Sequence, residues 1–264
     1  MIDFVILEFR EMHLDLIALY LPTAEAIFFV FAGLELAWGL VEWASQSQRG
    51  ITALFTGRLL VLLLFHTILL EYDDLASPIV LWLGDLGLAF PGWAGFNPRE
   101  IMLQGWVLAI TIWDRMDTLA TVLFPPAYIV RILAPGVVLM VHYVISIKVA
   151  IVLCEQYLAL GSGVLFMGFS SSKWTWGAAK GVIAYLVSVG IKVMMLGVVL
   201  GAISLMGVRW LELVLEAPYF SMSYWLTLNV EIIAVGYLAW RVPDKVAKRI
   251  SDSFIADIQN PYRG

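Results

Sequence analysis

The sequence predicts an all-α polytopic membrane protein with about five transmembrane helices, an N-terminal interfacial helix and an extracytoplasmic helical region. Three observations predict it. Of 264 residues, 61% are hydrophobic and only 14% charged, where soluble domains carry roughly a quarter charged residues. Mean hydropathy is +0.89. Several apolar runs reach the ~20 residues that cross a hydrocarbon core, and short polar segments separate them. The net charge of −5 leaves no basic footprint for nucleic-acid phosphates. The single cysteine, Cys154, excludes an intrachain disulfide and reads as a small buried hydrophobe.

Residues 1–21 read as an interfacial amphipathic helix. Phe4, Leu7, Leu14 and Ile17 recur near one face, interrupted by Asp3, Glu8, Glu11 and Asp15. With Arg10 alone against those carboxylates, the segment lacks the basic start of a signal peptide. Residues 22–72 form a transmembrane hairpin, Ala24–Ala44 and Ile51–Leu70, joined by the short Ser45–Gly50 loop. Residues 73–126 read as a surface-lying helical region. Asp73 and Asp74 open it, Pro91, Gly92, Gly95 and Pro98 break it, and Asn97 caps an amphipathic helix over Arg99–Leu123. A sixth span over Ile101–Phe124 stays open.

Residues 127–241 supply a three-helix transmembrane core with a loop near 170–180. Val137–Phe169, introduced by Pro125-Pro126 and Pro135-Gly136, would be about 50 Å long at 1.5 Å per residue. It either tilts and protrudes or breaks at Gly161 and Gly163. Ala178–Met206 and Tyr224–Trp240 complete the set, and 242–264 is a polar tail. If the Ser45–Gly50 loop, the 170–180 loop and the tail share a side, that side holds Arg49, Lys173, Lys180, Arg241, Lys245, Lys248, Arg249 and Arg263. The positive-inside rule then makes the C-terminus cytoplasmic and the N-terminus extracytoplasmic. Trp38, Trp43, Trp174, Trp176 and Trp240 would mark the inner interface, and Trp210, Tyr219, Tyr224 and Trp225 the outer.

The chemistry of interest is charge inside the spans. Glu35 and Arg58 lie almost equally far from the hairpin loop, so folding the hairpin puts them at one depth, where pairing lowers the cost of each. If they are simple partners, reversing both charges restores what either single reversal removes. Lys148, Lys192 and Glu231 fall near mid-bilayer. They read either as structural ion pairs or as the lining of an aqueous path or oligomer lumen. Glu25, Glu42 and Glu155 lie nearer span ends, where their side chains reach the headgroups. Gly197 and Gly201 form a small-xxx-small pair extended by Gly190, a helix-packing or oligomer face. His13, His66 and His142 have no local His or Cys partner, so no metal site is expected. Phosphate-loop, zinc-protease and nucleophile-elbow motifs are absent, so neither a cofactor nor an enzymatic role is expected.

The segment from Glu155 to Thr175, with Gly161-Ser-Gly163 and the loop Ser170, Ser171, Ser172, Lys173, Trp174, followed by Ala184–Lys192, resembles the central signature of the TrbL family. These are polytopic inner-membrane components of type IV secretion and conjugation systems. The resemblance is densest over Val137–Met206, weaker over Leu21–Trp113, and echoed by Trp240-Arg-Val-Pro-Asp244. It implies a bacterial inner-membrane protein with a periplasmic N-terminus, about five spans and a periplasmic region at 73–126, assembled as a homo-oligomeric ring. The implied partners are pilin, stalk and secretion ATPase components, membrane lipids, and transferred DNA or protein in transit. Two departures stand out. Ser170-Ser171 replaces a common glycine pair, and the long low-complexity cytoplasmic tail of many members is missing. The alternative suggested by intramembrane Lys and Glu alone is a small-solute transporter or permease, for which no convincing internal repeat is visible.

Overall fold

In the computed structural model, residues 2–45, 51–89, 97–115, 125–216 and 222–257 are described, and among them no strand occurs. The helices are α1 (Ile2–Ser45), α2 (Ile51–Leu70), α3 (Tyr72–Leu88), α4 (Pro98–Arg115), α5 (Pro125–Met167), α6 (Trp176–Glu216) and α7 (Met222–Asp257). A 3-10 turn, Gly168–Ser171, follows α5. By length and composition α1, α5 and α6 can each cross a membrane, and Phe55–Leu70 is a shorter apolar helix. An all-helical polytopic membrane protein follows, because only helices satisfy their own backbone groups in lipid. At 44, 43 and 41 residues, α1, α5 and α6 are about 60–65 Å long. Each is twice the length a bilayer core of about 30 Å requires.

Several boundaries differ from those expected. The 1–21 segment is the first half of α1, not a separate helix, and Pro22 lies inside α1. Proline is tolerated there because only one backbone hydrogen bond is lost. The pairs Pro125-Pro126 and Pro135-Gly136 do not precede a helix starting at Val137. The first pair occupies the opening turn of α5, where missing N–H groups cost nothing, and Pro135 lies within it. The stretch read as a tail, from Val242 onward, continues α7 without interruption to Asp257. Asn229 and Glu231 in its first half dilute its apolar character, so α7 is less apolar than α1, α5 and α6. The 46–50 loop, the Pro91–Gly95 break and 116–124 lie outside the described residues.

The chain divides into two compact units. One comprises Met1–Ile6, Leu83–Leu153 and Ile191–Val246. Its core joins Leu108, Ile112, Val138, Trp210, Trp225 and Ile232 in one cluster and Ile101, Ile145, Val149, Leu196 and Leu200 in another. Within it the N-terminus of α4 is capped by Asn97, whose Oδ1 accepts the Arg99 N–H at 3.0 Å. Ser146 Oγ donates to the Pro98 carbonyl at 2.8 Å, tying α5 to the same end.

The other unit comprises Leu7–Trp82, Cys154–Gly190 and Ala247–Gly264. Phe28, Leu69, Tyr72, Val80, Leu160, Val164 and Val189 form its core. The helix does not break at Gly161 and Gly163. Both are packing positions: a Cβ at Gly161 would lie 3.0 Å from Leu16, and one at Gly163 would strike the Tyr72 hydroxyl. That hydroxyl is buried with no hydrogen-bond partner among the described residues. Gly163→Ala is therefore expected to cost about 1–3 kcal/mol by overpacking. Tyr72→Phe alone should be neutral or stabilising, and the double variant should recover most of the loss, all read by thermal denaturation in detergent.

Trp176, Trp210 and Trp225 are 6%, 2% and 2% exposed. They are core residues and do not join an aromatic belt; Trp38, Trp43, Trp174 and Trp240 are exposed.

Candidate functional site

On α1, Glu35, Gly39 and Glu42 recur at i, i+4 and i+7 and so share one face. Glu35 is completely buried. An isolated buried carboxylate is expensive, so its partners decide what this face is for. Arg58 of α2 donates from Nη1 to the Glu35 carbonyl at 3.1 Å and lies 3.7 Å from Glu35 Oε1. At that distance the second contact is ionic and not a hydrogen bond. Its Nη2 pairs with Glu42 Oε2. Gly39 makes room for this, because a Cβ there would collide with the guanidinium.

The other carboxylate oxygen of Glu35 faces the loop between α5 and α6. Ser172 Oγ and the Lys173 backbone N–H both donate to Glu35 Oε2, each at 3.2 Å. Ser171 Oγ donates to the Phe28 carbonyl at 2.8 Å. Lys173 Nζ reaches Glu42 Oε1 at 2.7 Å and stands 5.3 and 5.2 Å from the ring centroids of Trp38 and Trp174. Those two indoles meet edge to face at 5.4 Å, and Trp38 Nε1 donates to Glu42 Oε1 at 2.6 Å. The Ser172 carbonyl accepts the Trp176 N–H at 2.8 Å, which starts α6. Gly168 lies against the Ala24 backbone too closely for any side chain.

Two carboxylates and two cations thus balance, and Ser170, Ser171 and Ser172 are fully buried. The serine loop folds inward onto α1. Small hydroxyl side chains suit this place, since each can satisfy a backbone carbonyl or carboxylate without bulk. Glu42, expected to reach the headgroups, is held in the network by Lys173 and Arg58. The arrangement fixes a loop against a helical hairpin by electrostatics and directed hydrogen bonds.

A family model described as TrbL/VirB6 plasmid conjugal transfer protein matches residues 25–242, and these contain Glu35, Glu42, Arg58, Ser172 and Lys173, whose contacts latch the loop to the hairpin. The chain belongs to the TrbL/VirB6 family. No curated protein and no solved structure matches it. As a TrbL/VirB6 protein it is a membrane component of conjugal transfer and type IV secretion machinery.

A second charged group of this TrbL/VirB6 chain lies in the unit containing α4. Lys148 Nζ pairs with Asp244 Oδ2 at 2.7 Å and Lys192 Nζ stands 3.9 Å from Oδ1. Lys148 also faces the Trp240 ring at 5.1 Å. Glu231, expected at the same depth, does not join them; its carboxylate accepts from Trp210 Nε1 at 3.0 Å. The carboxylate that meets both lysines lies two residues beyond the family match, in the stretch read as a tail. Asp244→Ala should cost about 1–2 kcal/mol, because a charge-assisted bond to a buried lysine is lost while the half-exposed carboxylate is partly screened. A melting curve in detergent reads it, and Lys148→Met in the same background should recover part of the loss.

Of the glycines expected to form a packing or oligomer face, Gly190, Gly197 and Gly201 are all buried within the chain. Gly197 meets Gly87 of α3 backbone to backbone. The packing role of Gly39 and the ion pairs of Glu42 and Asp244 were not anticipated from the sequence. The i, i+4, i+7 spacing of Glu35, Gly39 and Glu42 opposite Arg58 was the available signal for the first two.

Proposed function

We propose that this chain is a non-enzymatic inner-membrane subunit of a bacterial type IV secretion or conjugative transfer machine. About five crossings, by α1, α2, α5, α6 and, despite its polar residues, α7, leave the termini on opposite sides, and the bias of lysine and arginine favours a periplasmic N-terminus and a cytoplasmic C-terminus. The 73–126 region lies along the periplasmic surface of the membrane and the serine loop is on the cytoplasmic side. Copies assemble as a homo-oligomeric platform for substrate passage and pilus assembly, with pilin, stalk and ATPase subunits as partners.

The observation that carries this reading is the latch. Glu35 directs its acceptor capacity to the Ser172 hydroxyl and the Lys173 backbone, and Arg58 joins α1 to α2. Buried ionic groups of this kind fix register between elements more than they add stability, which is what a scaffold subunit requires. The lysines of the loop and of α7 bias one side of the chain toward positive charge, in keeping with the proposed orientation.

Photoreactive side chains placed along 73–126 in a working transfer system test the conduit role. Capture of transferring DNA at some of these positions supports passage along the subunit. Normal transfer with no capture at any of them removes the conduit and leaves a scaffold.

A further inference from the structure

In the unit containing α4 an open groove of about 820 Å³ is lined by one face of α4, by α5 and by the first turn of α1. Leu103, Trp106 and Met140 form apolar walls, with Tyr143 beside them, and Met140 is 68% exposed. The opposite face of α4, with Ile101, Leu108 and Ile112, is buried, so the helix has two apolar faces, of which only one is covered among the described residues. The volume lies within the range of sites that enclose a small ligand. Two opposite charges share this groove, Asp3 and Arg99. Neither has an ion-pair partner among the described residues.

In a bilayer an apolar wall alone selects no particular lipid. The charges do. Arg99 offers a planar fork of donors that matches a phosphate. Asp3 offers acceptors only, and so favours a group that is both cationic and able to donate hydrogen bonds. The phosphatidylglycerol headgroup satisfies Arg99 through its phosphate but offers Asp3 only neutral hydroxyls, so the carboxylate keeps an uncompensated charge. A quaternary ammonium carries the charge but has no N–H to donate. A primary ammonium next to a phosphate meets both requirements.

We propose that this groove binds phosphatidylethanolamine, with an acyl chain against Leu103, Trp106 and Met140, the phosphate on Arg99 and the ammonium on Asp3. The site depends on the chain being a membrane protein and is independent of the ring and of any transfer role. A lipid seated here completes the uncovered face of α4.

The test uses the purified full chain equilibrated with vesicles of equal phosphatidylethanolamine and phosphatidylglycerol, extracted in mild detergent, with retained lipid counted by native mass spectrometry. The native chain should retain phosphatidylethanolamine in preference. Asp3→Asn should lower that retention about tenfold, the weight of one charge-assisted hydrogen bond, and leave phosphatidylglycerol unchanged. Arg99→Gln should lower both. Equal retention of the two lipids by the native chain, or no change with Asp3→Asn, overturns the proposal. A phosphatidylethanolamine with a photoreactive acyl chain gives a readout without substitutions. Labelling should fall on peptides covering 99–106 and 139–143. Labelling confined to other segments, or protection of this face by a second copy of the chain, overturns it as well.

Discussion

Replacing Glu35 with leucine is expected to abolish conjugal transfer and to lower stability by about 3–5 kcal/mol, the cost of leaving one half of a buried pair unpartnered. Three donors lose their acceptor or counter-charge at once: the Ser172 hydroxyl, the Lys173 N–H and the Arg58 guanidinium. Glu35→Gln keeps an oxygen for the loop and loses only the charge facing Arg58, so it should cost about 1–3 kcal/mol. Glu8→Gln, at an exposed carboxylate of the same helix, is the control and should change neither transfer nor melting temperature. Transfer frequency, membrane-fraction abundance and thermal denaturation in detergent read the three variants. The exchanged pair, Glu35→Arg with Arg58→Glu, should fail to restore function. An arginine at 35 cannot accept from Ser172 and Lys173, and a glutamate at 58 would face Glu42. Full rescue by the exchange would mean that the loop contacts carry no weight.

Gly197→Leu is expected to have an effect of similar size by a different route. A Cβ at Gly197 would stand 2.8–3.0 Å from the Gly87 backbone, and one at Gly87 would run into the Met194 backbone. Backbone cannot move aside as a flexible side chain does, so the substitution should cost at least about 3 kcal/mol. Because this contact lies within the chain, the loss should appear in the melting of each protomer whatever its assembly state. Gly207, with open space around its Cα, provides the contrast. Gly207→Ala should be neutral or should stabilise α6 by up to about 1 kcal/mol through helix propensity. If Gly197→Leu melts normally and only dissociates an oligomer, the face belongs to a subunit contact.

The membrane helices were legible because apolar length and composition determine where a chain can enter lipid. Ala24–Ala44, Ile51–Leu70 and Ala178–Met206 each fall inside a single helix. The helix ends were harder. Pro22, Pro135, Gly161 and Gly163 would end a helix in a soluble protein, yet here they lie within α1 and α5. In a helix pressed against its neighbours glycine permits close approach, and proline removes one hydrogen bond among many.

The Glu35 and Arg58 side chains do meet, and equal depth from the loop was enough to bring them to attention. Depth could not show that Ser172 and Lys173 share the same carboxylate. The inward fold of a polar loop leaves no periodicity in the sequence. Lys148 and Lys192 stood out as intramembrane charges, but Asp244, their common partner, lay in a segment that looked like a solvated tail. Polar composition there hid the continuation of α7. Trp176, Trp210 and Trp225 were misleading for a related reason: a tryptophan near a span end serves an interface or a core equally well, and only packing distinguishes the two.

The proposed platform of several copies in the inner membrane has a direct signature in the mass and rotational symmetry of the protein purified in native lipid, read by mass photometry and particle averaging. A closed homo-oligomeric ring with a single cyclic symmetry is the predicted result. A strictly monomeric particle in native lipid would contradict it.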